Sequence, residues 1–175
     1  LSNSLEGEGL DIRDQNDVID AATFIASKDE HPAWLLKNLL PSSSLTICAG
    51  HANRSGKTWL ALYQAFSIVT GRSLLENFPP EGKKKNVLYI SEEGERSELR
   101  HRLLAIALEN NIEKEELKSS FFIAHRTGFK LKNLRWKNWL FKQVDLFRPS
   151  LIIVDTFSRS FHGKQNDAEE IEAAI

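Results

Sequence analysis

The sequence predicts an α/β fold with a mainly parallel sheet flanked by helices, and three observations predict it. Short apolar runs alternate with longer segments of helical periodicity, which is typical of βαβ units with right-handed crossovers. These runs are hydrophobic throughout, as expected for strands that are covered on both faces. One strand-to-helix junction contains Gly56-Lys57-Thr58, a sequence typical of loops that bind phosphate.

The composition sets limits on the class of protein. The 175 residues suffice for one domain with a buried core, and a net charge of −1 provides no global field that attracts nucleic acid. Cys48 is the only cysteine, and we expect it to be a small buried hydrophobe in a reducing cytoplasm. Because the sequence shows no signal peptide and no long apolar span, we expect a cytoplasmic protein without membrane association.

The chain changes character near residue 30. Residues 1–30 are polar and acidic, which predicts a tail or the end of a preceding module, with a short helix within residues 17–28. Residues 31–175 form the predicted domain, and its first segment, residues 33–41, is apolar and is stopped by Pro41.

The predicted elements follow in order along this domain. The first strand covers residues 45–49, and residues 58–70 form a helix that is apolar nearly all round and is closed by Gly71. A later helix carries Leu99, Leu103 and Ile106 on one stripe and ends at Asn110-Asn111. The other predicted elements are strands at residues 86–90, 121–124 and 151–155, and a helix at residues 134–147 whose Trp136 and Trp139 are assigned to the core.

The loop before the second predicted element is the candidate nucleotide site. A P-loop has Gly, four residues and then Gly-Lys-Thr, but His51 stands where the first Gly belongs and Gly50 comes one residue earlier. Either the loop has one extra residue, or His51 takes the first position. Lys57 would then contact the β and γ phosphates, and Thr58 would bind Mg²⁺. The candidate ATP-binding residues are Gly50, Asn53, Arg54, Ser55, Gly56, Lys57, Thr58 and Trp59.

Acidic residues end two of the predicted strands, where ligands of parallel sheets bind. Asp155 follows four apolar residues and is a candidate Mg²⁺ ligand together with Thr58, although a turn residue at a strand end is the alternative. Glu92 and Glu93 are candidates to polarise the attacking water, or else acids favoured at a helix start. Because side chains alternate along a strand, only one of the two is expected to face the γ-phosphate.

With these motifs, the chain resembles the RecA-like ATPases, and within them the RepA-like hexameric replicative helicases of plasmids and phages. The resemblance covers about residues 34–175. It rests on residues 34–41, 56–62, 70–72, 87–93 and 99–104 with Arg102, and on residues 151–155 followed by Thr156, Arg159, Phe161 and His162. The resemblance implies that Glu93 and Lys57 are catalytic, and that Glu92 is a helix-start acid or a solvent-facing neighbour. It also implies single-stranded DNA and a homo-hexamer for the full-length protein.

The chain departs from this family in two places. Asn53 and Arg54 stand where the family loop is glycine-rich, and the sequence stops about twenty residues after Asp155, so we expect the RecA-like core to be incomplete there. The motifs lead us to expect Mg²⁺-dependent ATP hydrolysis by a motor domain. Because of these departures, the expectation of helicase activity rests on the resemblance alone. The alternatives are a recombination or repair ATPase, and a nucleotide-binding regulatory module with little turnover.

A second candidate surface follows the third predicted strand. His125-Arg126 and a run of basic residues with Phe129 and Trp136 could touch a nucleic-acid backbone, although a solvated loop and helix face is the simpler interpretation. The basic residues of the run are Lys130, Lys132, Arg135 and Lys137.

Overall fold

The computed structural model describes residues 20–26, 33–51 and 55–160, and the chain divides into two units, Leu1–His31 and Pro32–Ile175. In the first unit, helix α1 (Ala21–Ala26) lies inside the helix expected over residues 17–28, whose ends fall outside the described residues. The carboxylate of Asp20 accepts hydrogen bonds from the N–H groups of Ala22 and Thr23 at 2.9 and 3.0 Å, which caps the helix start.

The second unit opens with an antiparallel hairpin of β1 (Trp34–Leu36) and β2 (Leu40–Pro41), which ends at Pro41 as expected. Asn38 takes a left-handed conformation in the turn, with φ of 61°, which Asn tolerates better than most residues. The hairpin leucines are buried against the second half of the following helix, in a cluster that contains Leu35, Leu36, Leu40, Ala65, Ile68 and Val69.

Helix α2 (Lys57–Thr70) forms as predicted, starting one residue earlier. Its second half is buried, whereas Trp59 and Leu60 in its first turn are partly exposed. Gly71 ends the helix as predicted: its φ is 71°, and its N–H donates to the Ser67 carbonyl at 2.8 Å.

Three parallel strands form the sheet in the order β4-β3-β5, which confirms the predicted fold class. The strands are β3 (Val87–Ser91), β4 (Phe121–His125) and β5 (Leu151–Asp155). Central β3 is buried along its whole length. Ser91 pairs with both His125 and Asp155, so the three carboxyl ends meet at one edge of the sheet.

Helices cover both faces of the sheet. On one face, α2 and α3 (Arg96–Glu109) contribute to a cluster around Tyr89; on the other, α5 (Leu134–Phe147) packs over Leu88 and Ile90. This division follows from the alternation of side chains along β3. Trp136 and Trp139 pack against the second cluster, which agrees with their assignment to the core.

Two short helices were not predicted, α4 (Lys114–Leu117) and α6 (Phe157–Ser160). Each has four residues, which is too short for an apolar periodicity to show in the sequence. A capping box between Glu113 and Glu116 starts α4. Among the described residues, no helix has both the length and the apolar character needed to cross a membrane.

The prediction of a first strand at residues 45–49 is wrong. Residues 45–50 have no regular structure, and Leu45 and Ile47 are 63% and 59% exposed. Cys48 is exposed as well, so its expected burial is also wrong. A strand requires a neighbour for its ladder hydrogen bonds, and among the described residues none pairs with this run. The apolar character of the run was therefore not sufficient to make it a strand.

The packing between α2 and the sheet predicts a large stability difference between two phenylalanines. Phe66 is fully buried and contacts the ring of Phe121 edge-on at 5.4 Å, whereas Phe141 on α5 is 63% exposed. We expect Phe66→Ala to lower the free energy of unfolding by about 3–5 kcal/mol. Phe141→Ala should change it by no more than about 0.5 kcal/mol. Urea denaturation of both variants measures the difference, and equal losses would contradict this packing.

Candidate active site

The two predicted Mg²⁺ ligands meet at the carboxyl edge of the sheet. The Thr58 hydroxyl, in the first turn of α2, donates to Asp155 Oδ2 at 2.9 Å. Asp155 ends β5, so this contact joins the start of the helix to the end of an edge strand. The in-register ends of β3 and β5 position the carboxylate, and the first turn of α2 positions the hydroxyl.

Three described residues of the loop before α2 contact the Lys57 ammonium group. Lys57 Nζ donates to the carbonyls of Gly50 and His51 at 3.0 and 2.8 Å, and to Ser55 Oγ at 2.6 Å. Ser55 Oγ in turn donates to the His51 carbonyl at 2.8 Å. Both Gly50 and His51 are therefore in contact with the lysine, together with Ser55.

A glycine is needed at position 56 because of its backbone conformation and not because a side chain would clash. Its φ is 72°, a conformation that residues with a side chain adopt only at a cost, and a Cβ added there would meet nothing within 4 Å. Asn53 and Arg54 lie outside the described residues, so their contacts with nucleotide stay predictions. Trp59 is partly exposed beside Thr58, and its role likewise stays a prediction.

The chemistry of these groups fits a magnesium nucleotide. Mg²⁺ prefers hard oxygen ligands and is usually held by one or two protein groups together with phosphate oxygens and water. Thr58 and Asp155 supply such oxygens. Beside them, the N-terminus of the fourteen-residue α2 and the Lys57 ammonium favour the negative charge of phosphates.

Tyr89 also contacts Asp155, and no sequence pattern singles it out. Its hydroxyl donates to Asp155 Oδ2 at 2.5 Å from a fully buried position on β3. Burial, and then the charge and the hydrogen bond of Asp155, raise the pKa of Tyr89 far above its ordinary value. The phenol therefore remains a hydrogen-bond donor at neutral pH. The contact follows from the register between β3 and β5, and this register cannot be read from the sequence.

The expectation that Glu92 is a helix-start acid or a solvent-facing residue is wrong. Glu92 is 9% exposed, and α3 begins at Arg96, after Glu95. Its carboxylate accepts four hydrogen bonds from the loop after β4. These come from the Thr127 N–H at 3.0 Å and hydroxyl at 2.6 Å, the Gly128 N–H at 3.0 Å and the Phe129 N–H at 3.1 Å.

The four donors explain why a carboxylate is stable inside the protein here. Burial raises the pKa of Glu92, but the hydrogen bonds from Thr127, Phe129 and Gly128 outweigh this effect and lower the pKa below its ordinary value. Glu92 therefore stays ionised at neutral pH, and both of its oxygens are engaged by the loop. It anchors residues 127–129 and is poorly placed to activate water.

Glu93, the assigned catalytic residue, lies in different surroundings. It is exposed directly after Glu92, at the end of the central strand and next to the strand that carries Asp155. The Ser91 hydroxyl donates to the Glu93 carbonyl at 3.2 Å, which tightens the turn after β3. The exposed position leaves the carboxylate accessible to a ligand, and its catalytic role stays a prediction.

Only some residues of the candidate nucleic-acid surface are exposed to solvent. Phe129 is 1% exposed and contacts Trp136 and Trp139, so its ring belongs to the core. Arg126 forms an ion pair with Glu95 at 2.9 Å, and Lys130 donates to the Arg159 carbonyl. These contacts favour the interpretation of a basic loop held within the domain over a stacking platform for bases.

The buried Glu92 predicts a pH-dependent loss of stability on substitution. Glu92→Gln places an amide among N–H donors, and at neutral pH we expect it to lower the free energy of unfolding by about 2 kcal/mol. A carboxyl whose folded-state pKa is depressed stabilises the fold above its ordinary pKa of 4.5, and this contribution is lost as pH falls through the lower folded-state value. The difference from wild type should therefore shrink below that pH.

Urea denaturation from pH 7 to about pH 3.5 measures this dependence. Glu93→Gln is the matched control, because its exposed side chain should leave stability nearly unchanged throughout. A Glu92→Gln deficit that is the same at every pH would contradict the anchor role of the ionised carboxylate.

Comparison with known proteins agrees with this geometry. No curated protein matches the chain. The sequence does match the family model described as an AAA domain, from residue 13 to residue 175, which includes the loop, the sheet and every site residue described above. The chain thus belongs to the AAA domain family of P-loop ATPases.

Proposed function

We propose that this chain is the motor domain of a DNA helicase or replication ATPase of a plasmid, phage or mobile element, and that it hydrolyses ATP with Mg²⁺. The observation that carries the proposal is the contact between Thr58 and Asp155 beside the lysine-containing loop. Membership of a P-loop ATPase family supports the hydrolysis. The resemblance to RepA-like helicases supports the finer assignment.

Lys57 would bind the β and γ phosphates by exchanging partners. An ammonium group has three donors, and all three contact the loop's own oxygens. Hydrogen bonds between an ammonium and a phosphate are charge-assisted and stronger than those to neutral carbonyls. A phosphate oxygen can therefore displace a carbonyl or Ser55 without leaving the ammonium unsatisfied.

The remaining residues divide the chemistry among them. Bound Mg²⁺ would neutralise charge on the phosphates. Thr58 and Asp155 would hold the metal, and Glu93 would orient the attacking water and accept its proton. Phosphoryl transfer depends mainly on positioning and charge neutralisation, and these three residues together with Lys57 supply both.

Single-stranded DNA and a homo-hexameric ring are proposed from the same resemblance. The net charge of −1 means that DNA contacts would have to come from local groups rather than from a global field. A ring is also supported by large apolar side chains exposed on α5, where Leu134 and Phe141 lie two turns apart. Such side chains are suited to a contact between subunits.

Two other functions use the same site. A recombination or repair ATPase would also hydrolyse ATP in the presence of DNA, and a regulatory module would bind ATP with little turnover. Turnover with and without single-stranded DNA separates the regulatory module from the motors. Strand displacement on a forked duplex then separates a helicase from a recombination ATPase.

The position of Glu93 predicts that its substitution will impair ATP hydrolysis but not ATP binding. Glu93→Gln keeps the size and hydrogen bonding of the side chain but removes the charge that polarises water, so we expect ATP binding to persist and single-turnover hydrolysis to fall roughly 10²-fold or more. Lys57→Ala should weaken binding itself, because it removes the ammonium that contacts the phosphates. The measurements are nucleotide affinity and single-turnover hydrolysis.

Glu95→Gln is the control for this experiment. Glu95 is an exposed glutamate two residues further on, and its partner is Arg126 rather than a site residue. Its turnover should stay near wild type. Normal hydrolysis by Glu93→Gln would remove Glu93 from the mechanism, and normal turnover by Lys57→Ala would remove this loop as the site.

The proposed ring can be tested by its mass. With Mg²⁺ and a slowly hydrolysed ATP analogue, the protein should assemble into a ring with nucleotide between subunits, because residues from a neighbour would complete each site. Light scattering measures the assembly. A fully active enzyme that remains strictly monomeric under turnover conditions would show that the ring is wrong.

A further inference from the structure

Two hydroxyl groups converge on one oxygen of Asp155. Thr58 Oγ1 reaches Asp155 Oδ2 from α2 at 2.9 Å, and the Tyr89 hydroxyl reaches the same atom from β3 at 2.5 Å. The other carboxylate oxygen, Oδ1, accepts a hydrogen bond from neither hydroxyl. The side chain of Asp155 is thus held from two separate elements.

Strand register places Tyr89 within reach of Asp155. Tyr89 pairs with Ile153, and Asp155 lies two residues further along β5, on the same face of the sheet. A diagonal pair of this kind lies within reach of an aromatic side chain. The contact is therefore built into the pairing of β3 with β5.

Packing fixes the direction of the Tyr89 ring. Tyr89 is fully buried, in a cluster that includes Leu62, Phe66, Leu99 and Ile106. Close-packed cores hold side chains in single rotamers, so the hydroxyl is presented at one position and cannot follow a carboxylate that rotates away. A buried phenol also needs a hydrogen-bond partner, and Asp155 provides one.

We propose that Tyr89 is a positioning residue for Asp155, and that it presets the carboxylate for Mg²⁺. By holding Oδ2 in place, the phenol fixes the plane of the carboxylate, so that Asp155 does not depend on Thr58 alone for its orientation. This inference rests on the proposed function, since it concerns the metal half of the same site. Groups behind a metal ligand commonly set its affinity in this way.

The chain provides a matched control in its only other tyrosine. The Tyr63 hydroxyl, on α2, donates to Glu109 Oε2 on α3 at 2.5 Å, which is also a contact between a phenol and a carboxylate. This pair is exposed and includes no residue of the proposed site. Tyr63→Phe and Tyr89→Phe therefore remove the same atom from similar pairs, and only one of them adjoins the metal ligands.

The experiment is a Mg²⁺ titration of both variants with a fluorescent, non-hydrolysable ATP analogue, repeated with ATP hydrolysis as the readout. For Tyr89→Phe, we expect the Mg²⁺ concentration at half-saturation to rise at least about 10-fold. Its affinity for the analogue in EDTA should stay within about two-fold of wild type, because the loop is unchanged. Tyr63→Phe should match wild type in both measurements. Thermal unfolding without nucleotide checks that each variant is folded.

Three outcomes would count against the inference, and a fourth would count against the proposed function on which it rests. A Tyr89→Phe titration that overlays wild type would overturn it, and so would an equal shift in Tyr63→Phe. If Tyr89→Phe lost stability and analogue affinity in EDTA as well, its role would be structural support of the fold rather than positioning of Asp155. If wild type itself showed no Mg²⁺-dependent binding of the analogue, the proposed function would fail.

Discussion

The in-register pairing of three parallel strands is the constraint on which the rest of the structure depends. Because Ser91 pairs with both His125 and Asp155, the ends of β4, β3 and β5 lie along one edge of the sheet. Asp155 is thereby placed against the first turn of α2, and Glu92 is placed against the loop that follows β4. A shift of one residue in either pairing would move every side chain to the opposite face and separate these groups.

The same edge shows how environment separates two identical side chains. Glu92 and Glu93 are adjacent, but the loop at residues 127–129 supplies donors to Glu92 alone. Those donors offset the cost of burying its charge, so that this carboxylate is committed to structure. Glu93 has no such enclosure and remains exposed. The burial of one carboxylate fixes the backbone from which the other projects.

The sequence was sufficient for elements with strong local signals. The helix at residues 134–147 and the strand at residues 151–155 were predicted with the observed bounds, because a clear apolar stripe and Pro149 delimit them. The prediction failed where structure depends on a distant partner. Residues 45–49 are apolar but have no pairing strand in the part of the chain that the structure describes, and the contacts of Glu92 with the loop after β4 join residues at least 35 positions apart. Composition and periodicity carry no information about such pairings.

The metal-binding half and the phosphate-binding half of the candidate site differ in how far their side chains are already oriented for a ligand. Asp155 already contacts Thr58 and Tyr89, so the groups proposed to hold the metal are oriented by the packed sheet and α2. Lys57 instead contacts the oxygens of its own loop, and binding a phosphate requires it to give up some of these partners. The rigid half lies on elements with a buried core behind them, whereas Gly50, His51 and Ser55 are exposed. It follows that rearrangement on nucleotide binding should be concentrated in the loop, where it disturbs no core packing and therefore costs little.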